Sequence, residues 1–458
     1  MRYQLVQPGS SYATTLESLE RDDPQHPPLY FVLERLWQSV GTSVVAWRSL
    51  SVIFGLALLL AVFRLASELF DRDVGLVATA LVAVSPFHVA YAQYNREYAL
   101  WALLTALSSV LVLVSLRRGT AIAWVAYAAS VILGLYTDPL FLTVAAAHVA
   151  YVGMLLLKRN VDVRRAGGFA VALLSAGIAY VPWLLVMWNY RHVIETTTEW
   201  YAKPLPAHLL AGKWFFEIAS VFFDVEYGDL RLSALAVLVV VTALTLAFVG
   251  IRSSSRRGAF VVSLVVTSAA PLVVADLVLH QSRSTAGRYF SPAWLGVEVA
   301  VAAGLTAFVR GERPVARLAA VASVALLVSA GVASLAVSGP RSSWWVDSQD
   351  GSLVAIARAL SAERDKNVCY VDNYGTALVL GDAVTAGVGL SPHYTSGCLG
   401  VGTASEVAKI APASGRFVKG PAVPPGAASA IDEFHEQMGR ARHFRFEEIE
   451  LWEFRRSR

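Results

Sequence analysis

The stretch LVAVSPFHVAYAQYNREYALW, Leu81 to Trp101, decides the fold. Its two ends are apolar and belong to runs at 74–92 and 98–116, each long enough to cross the roughly 30 Å hydrocarbon of a bilayer. Between them stand Gln93, Asn95, Arg96 and Glu97, with His88 a little earlier. The connection allows only a tight hairpin, so the chain crosses a membrane, turns on a polar knot and crosses back. Polar groups at such a turn either snorkel to the headgroups or face a protected site. Arg96 can pair with Glu97 or grip a phosphate in forked geometry.

Outward from this hairpin the same pattern recurs. Apolar runs fall near 45–66, 74–92, 98–116, 121–137, 140–157, 168–188, 232–251, 260–279, 289–309 and 318–338, which makes ten expected spans. Of 458 residues, 56% are hydrophobic and 16% charged, with a mean hydropathy of +0.53; these values exclude an ordinary soluble globular protein. The reading is an all-α polytopic membrane protein. A net charge of +4 gives topology here and no sign of a nucleic-acid partner. Four connections are rich in positive charge: Arg117 and Arg118; Lys158, Arg159, Arg164 and Arg165; Arg252, Arg256 and Arg257; Arg310, Arg313 and Arg317. They lie on alternate loops and therefore on one face, the cytoplasmic one by the positive-inside rule. The other face receives residues 1–44, the tips at Gln93–Glu97 and Thr137–Pro139, the loops 189–231 and 280–288, and the tail after 339.

Two more polar clusters fall on that outer face. In DDPQHPPLY, Pro27 and Pro28 suit the first turn of a helix, where a missing amide costs nothing. His26 then stands at the start of a helix, where anions are favoured, beside the acids Asp22 and Asp23. The plainer reading is a rigid turn with solvated acids. In LHQSRSTAGRYF, His280, Arg283 and Arg288 put positive charge where the distribution rule expects little, which points to an anionic ligand or to headgroup contact. Together the three clusters suggest a membrane-embedded site for a phosphate-bearing lipid. The stretch LYFVLERLWQSV reads as an interfacial helix, Leu29, Leu33, Leu36, Trp37 and Val40 on one face and Glu34, Arg35 and Gln38 on the other. HLLAGKWFFEIASVFFDVEYGD reads either as another interfacial helix or as a packed connector.

The last 120 or so residues change character: GSLVAIARALSAERDK has helical periodicity and VCYVD reads as a strand. The expected organisation is residues 1–44 as outer loop, 45–339 as membrane domain, and 340–458 as a small extracytoplasmic α/β domain. Cys369 and Cys398, the two cysteines, both fall in the last part, where a disulfide can form and persist.

HPPLYF (26–31), RSLSVIFGL (48–56), the hairpin above, LGLYTDPLF (133–141) and GRYFSPAWLG (287–296) occur in an order that resembles the bacterial glycosyltransferase family 39 proteins. That family includes protein O-mannosyltransferases and lipid A aminoarabinose transferases, all on the GT-C membrane fold, and the resemblance spans residues 15–310. It implies an inverting transfer of a sugar from a polyprenyl-phosphate donor to an acceptor on the extracytoplasmic face of the cell membrane. The resemblance implies donor contacts from His26, Arg96, Tyr98, Arg283, Arg288 and Tyr289. It also implies an acidic base early in the first outer loop, for which Asp22, Asp23 and Glu97 are the candidates in this chain.

Two features depart from the family. Tyr94 stands where many relatives carry an acid, leaving Glu97 or Asp138 to replace it. The family also opens with a membrane helix and an Asp-Glu pair, so the frame upstream of Met1 is expected to encode an apolar span followed by an acidic pair; a nearby stop codon would sink that expectation. The acceptor is open between protein, lipid and glycan. No cofactor is fixed, and a divalent metal is compatible with the family although no carboxylates show ligand spacing. A lipid-linked sugar flippase and an inactive carrier-lipid-binding relative are the competing functions.

Overall fold

A computed structural model describes residues 10–41, 44–202, 204–225, 229–253 and 255–339, and four strands beyond them. Hydrocarbon offers no partner for a backbone amide, so the apolar runs must close their hydrogen bonds within helices. In chain order, α1 (Tyr12–Asp22) and α2 (Leu29–Trp37) precede the long α3 (Val44–Leu69). Next come α4 (Arg72–Ala83), α5 (Pro86–Ala92), α6 (Tyr98–Arg118), α7 (Ala121–Leu135), α8 (Phe141–Leu157) and α9 (Val163–Asn189). The short α10 (Arg191–Thr197) and α11 (Ala207–Ser220) lead to α12 (Leu230–Arg252), α13 (Ser255–Leu279), α14 (Ser291–Arg310) and α15 (Pro314–Ser338).

Among the described residues, seven helices are long and apolar enough to cross a membrane: α3, α6, α9, α12, α13, α14 and α15. The α4–α5 pair is an eighth if taken as one span, and α7 and α8 are shorter apolar helices. Together they occupy the ten expected places, with one correction. The run 74–92 is not a straight helix but bends by 62° between α4 and α5. Pro86 is the cause: it pushes Ser85 into extended backbone (φ −68°, ψ 117°) and restarts the helix at its own position.

The bundle is organised around α14, which packs on α12, α13, α4, α15 and α6. Its run of small residues allows this, since close backbone approach substitutes for a hydrophobic force that is weak between lipid-bathed helices. A Cβ on Gly304 would stand 2.0 Å from the Leu246 carbonyl oxygen, and one on Gly250 2.0 Å from that of Ala300. The helix interiors hold ionisable groups. Glu298 on α14 is fully buried and meets His88 on α5 at 2.9 Å. His148 on α8, also fully buried, lies 3.0 Å from the Tyr127 hydroxyl and 3.2 Å from that of Ser109.

The expected faces of α2 are revised as well. Tyr30, Phe31 and Glu34 turn inward while Leu36 is 60% exposed. Glu34 goes inside because Asn95, from the hairpin, donates a hydrogen bond to it.

The chain separates into two compact units, Leu19–Glu34 with Arg48–Val346 forming the membrane unit and Met1–Ser18, Arg35–Trp47 and Asp347–Arg458 the other. In the latter, β1 (Val368–Val371) pairs in parallel with β2 (Arg416–Lys419), and β3 (Ala441–Phe446) pairs antiparallel with β4 (Ile449–Phe454). The strand expected at VCYVD is β1. The expected helix at 351–366 and Cys398 lie outside the described residues, as does the side chain of Cys369 on β1.

Candidate active site

The DDPQHPPLY turn folds onto the Gln93–Glu97 hairpin. Asp23 and Glu97 are both fully buried. His26 Nδ1 lies 2.9 Å from Glu97 Oε1 and its Nε2 3.8 Å from Asp23 Oδ1. Arg96 Nη1 is 3.8 Å from Asp23 Oδ2. Two carboxylates thus face two cations. Burial alone would lower the His26 pKa, but Asp23 and Glu97 outweigh it and raise the group to about 9. Burial would likewise raise Glu97, yet His26 and Arg96 hold it at about 2. Near neutral pH the pair is therefore imidazolium and carboxylate.

This corner is fixed from three directions. The Tyr30 hydroxyl lies 2.8 Å from Ser51 Oγ on α3 and 3.2 Å from Asn95 Oδ1. The backbone of the turn is committed too: the Leu29 amide, first of α2, donates to the Tyr136 carbonyl at 3.0 Å. That amide is not open to an anion, contrary to the sequence expectation for this helix start, because the α7–α8 turn supplies its acceptor. Asp22 ends α1 and is exposed, whereas Asp23 is buried.

The α7–α8 turn also delivers Asp138. It is 4% exposed, with Oδ1 accepting the Leu140 amide at 2.7 Å. Burial pushes its pKa up to about 7, the negative charge of Glu97 adding to the rise, while His26 and Arg288 pull against it. Asp138 therefore senses both the Glu97–His26 pair and Arg288.

The loop 280–290 contributes the cations. Asp276, near the end of α13, acts as its anchor: its carboxylate accepts the amides of Arg283 and Ser284, both at 2.8 Å, and the Ser284 hydroxyl. Trp214 Nε1 on α11 donates to Ser284 Oγ at 2.6 Å. Arg283 is thereby laid over the Tyr201 ring, 4.1 Å from its centroid. Arg288 lies between Tyr289 and Tyr98, at 5.0 and 6.0 Å from their centroids. His280 is exposed, with φ 52°. Glu217, unmarked by any sequence signal except Gly287 beside Arg288, lies against that loop: a Cβ on Gly287 would fall 1.7 Å from its Oε2. Burial raises Glu217 to about 8, against the pull of Lys213 and Arg288. Among the described residues, no group of three or more His, Cys, Asp or Glu side chains is arranged to hold a metal ion.

Geometry and ancestry converge at this point. Residues 25–188, which hold the His26 turn, the hairpin and Asp138, match the dolichyl-phosphate-mannose-protein mannosyltransferase family. The whole fold is similar to ArnT from Cupriavidus metallidurans bound to undecaprenyl phosphate, with a TM-score of 0.57 at 12% identity over 94% of this chain and 88% of that one. The chain has the fold of ArnT. ArnT in its apo state gives a TM-score of 0.58 at the same identity, over 94% of this chain and 87% of that one. The archaeal oligosaccharyltransferase AglB from Archaeoglobus fulgidus, in complex with an inhibitory peptide and a dolichol-phosphate, gives 0.51 at 12% identity, covering 88% of this chain and 62% of its own. No curated protein matches the chain in sequence.

Proposed function

We propose that this chain is an inverting glycosyltransferase that moves a sugar from a polyprenyl-phosphate carrier to an acceptor on the extracytoplasmic face. The observation that carries the reading is the pairing of the buried Glu97 with His26, 2.9 Å apart and drawn from distant segments, with the buried Asp138 on the α7–α8 turn that accepts the Leu29 amide of the same corner. Similarity to proteins seen with undecaprenyl phosphate and dolichol-phosphate supports the donor class.

In this reading Arg288 and Arg283 face the donor phosphate and offset the charge that grows on it as the bond to the sugar breaks. The Tyr201 ring lies against Arg283, and the Tyr289 and Tyr98 rings lie against Arg288. The acceptor oxygen attacks the anomeric carbon from the opposite side, its proton passes to a carboxylate, and the polyprenyl phosphate departs. Asp138, at about 7, suits the base role better than Glu97, at about 2, because a base works best with a pKa near the operating pH. Glu97 is bound to its imidazolium, and Asp23, set between His26 and Arg96, completes the charge balance of the corner. Tyr98 and Tyr289 position Arg288.

Donor binding by purified protein tests the phosphate assignment. Replacing Arg288 by alanine removes charge-assisted contacts and should weaken binding of a polyprenyl-phosphate sugar about ten- to hundredfold. Unchanged binding removes Arg288 from the site.

A further inference from the structure

Three of the four basic connections meet in one cavity at the end of the bundle away from Glu97. Helix α6 measures the separation: Glu97 precedes its first residue and Arg117 lies in its last turn, about 30 Å further along the axis. The cavity, about 670 Å³, is lined by Arg117, Arg165, Arg256 and Arg257, with Glu68 and Tyr151, and much of the remaining wall is leucine. Four guanidiniums against the one carboxylate of Glu68 leave a net +3 on the lining.

The arginines are placed by packing as well as by topology. Arg117 pairs with Glu68 at the end of α3. Arg165 lies against Gly119, the left-handed cap that ends α6 (φ +67°), and reaches Asp162 at 3.4 Å. Arg257 lies 5.9 Å from the centroid of the Phe70 ring. The fourth basic connection contributes no residue to the cavity. There Arg310 is answered on the spot by Asp71 at 2.7 Å and Asp73 at 2.6 Å. Around the cavity the balance stays positive.

We propose that this cavity binds the phosphate headgroup of an anionic phospholipid from the leaflet on the basic-loop side, its leucine wall taking the start of an acyl chain. Arginine forks match phosphate oxygens, and basic pockets between membrane helices on this side suit anionic headgroups. A bare inorganic anion would use the cations and leave the leucines without a role. The site is separate from the proposed transfer site, so it stands or falls independently of that activity.

The test is lipid retention by the full-length protein in native mass spectrometry, after exchange with phosphatidylglycerol, phosphatidylcholine or inorganic phosphate. Wild type should retain phosphatidylglycerol in preference to phosphatidylcholine. The Arg256→Gln/Arg257→Gln double variant should weaken that retention about thirtyfold, while Arg313→Gln/Arg317→Gln, equal in lost charge but outside the cavity, should leave it unchanged. Glu68→Gln, which frees Arg117, should strengthen it. Equal loss in the two double variants, equal retention of phosphatidylcholine, displacement by inorganic phosphate alone, or no gain from Glu68→Gln would each overturn the proposal. Monodisperse elution and helical circular dichroism of every variant separate these outcomes from misfolding.

Discussion

His26 and Glu97 set the pH behaviour of the candidate site. The His26 pKa lies above that of a free imidazole, at about 9, so the stability it contributes is complete below about 6.5 and is lost as pH rises through 9. Glu97 is depressed to about 2, so its contribution is present above about 4.3 and is lost as pH falls through 2. Thermal unfolding of wild type should therefore show falling stability from about pH 6.5 to 9. Glu97→Gln removes the closest anionic partner of His26 and should flatten that limb; an identical pH slope in the variant would contradict the pairing. Transfer should have its own profile. Asp138 must be ionised to accept a proton, so the rate should rise through about pH 7, then decline near 9 as His26 loses its charge. A rate independent of pH between 6 and 8 would count against Asp138.

These residues were unevenly legible in the sequence. His26, Arg96, Glu97, Arg283 and Arg288 stand out because charge on an outer membrane face needs a reason. Glu34 and Glu217 do not: each sits in an amphipathic stretch where an acid belongs to the wet side, and partners distant in sequence, Asn95 for Glu34 and the Gly287 loop for Glu217, lie against them inside.

Among the elements, α14 was the easiest to find and the hardest to interpret. Its apolar run announces a span, but its place at the centre of the bundle depends on small residues meeting small residues on other helices. Gly304 is the sharpest instance, at 2.0 Å between an added Cβ and the Leu246 carbonyl oxygen. Gly304→Leu should push α12 and α14 apart and cost about 1–3 kcal/mol, read as a lower midpoint in thermal unfolding in detergent. Gly153 has open space around it, so Gly153→Ala should leave the midpoint nearly unchanged. The break between α4 and α5 was written in the sequence as Ser85-Pro86, yet the apolar run on both sides concealed it. That bend carries His88 to Glu298 and brings the hairpin back toward the His26 turn. The 62° angle is thus part of how the site is assembled.

At the scale of the molecule, the distribution of charge separates two tasks. Three of the basic connections gather around one cavity; the opposite ends of the same helices hold a corner in which acids and cations meet. Hydropathy and the order of the motifs made the GT-C fold legible from sequence. The proposed base was not legible, because the pKa of Asp138 rises only once the α7–α8 turn is buried, with the charge of Glu97 adding to the rise. The most direct measurement is turnover of a labelled polyprenyl-phosphate sugar by wild type and by Asp138→Asn, alongside donor binding. Wild type should consume the donor with inversion of the sugar, and Asp138→Asn should still bind it but turn over at least about a hundredfold more slowly. Donor turnover unaffected by Asp138→Asn, or bound donor that is never consumed by wild type, would contradict it.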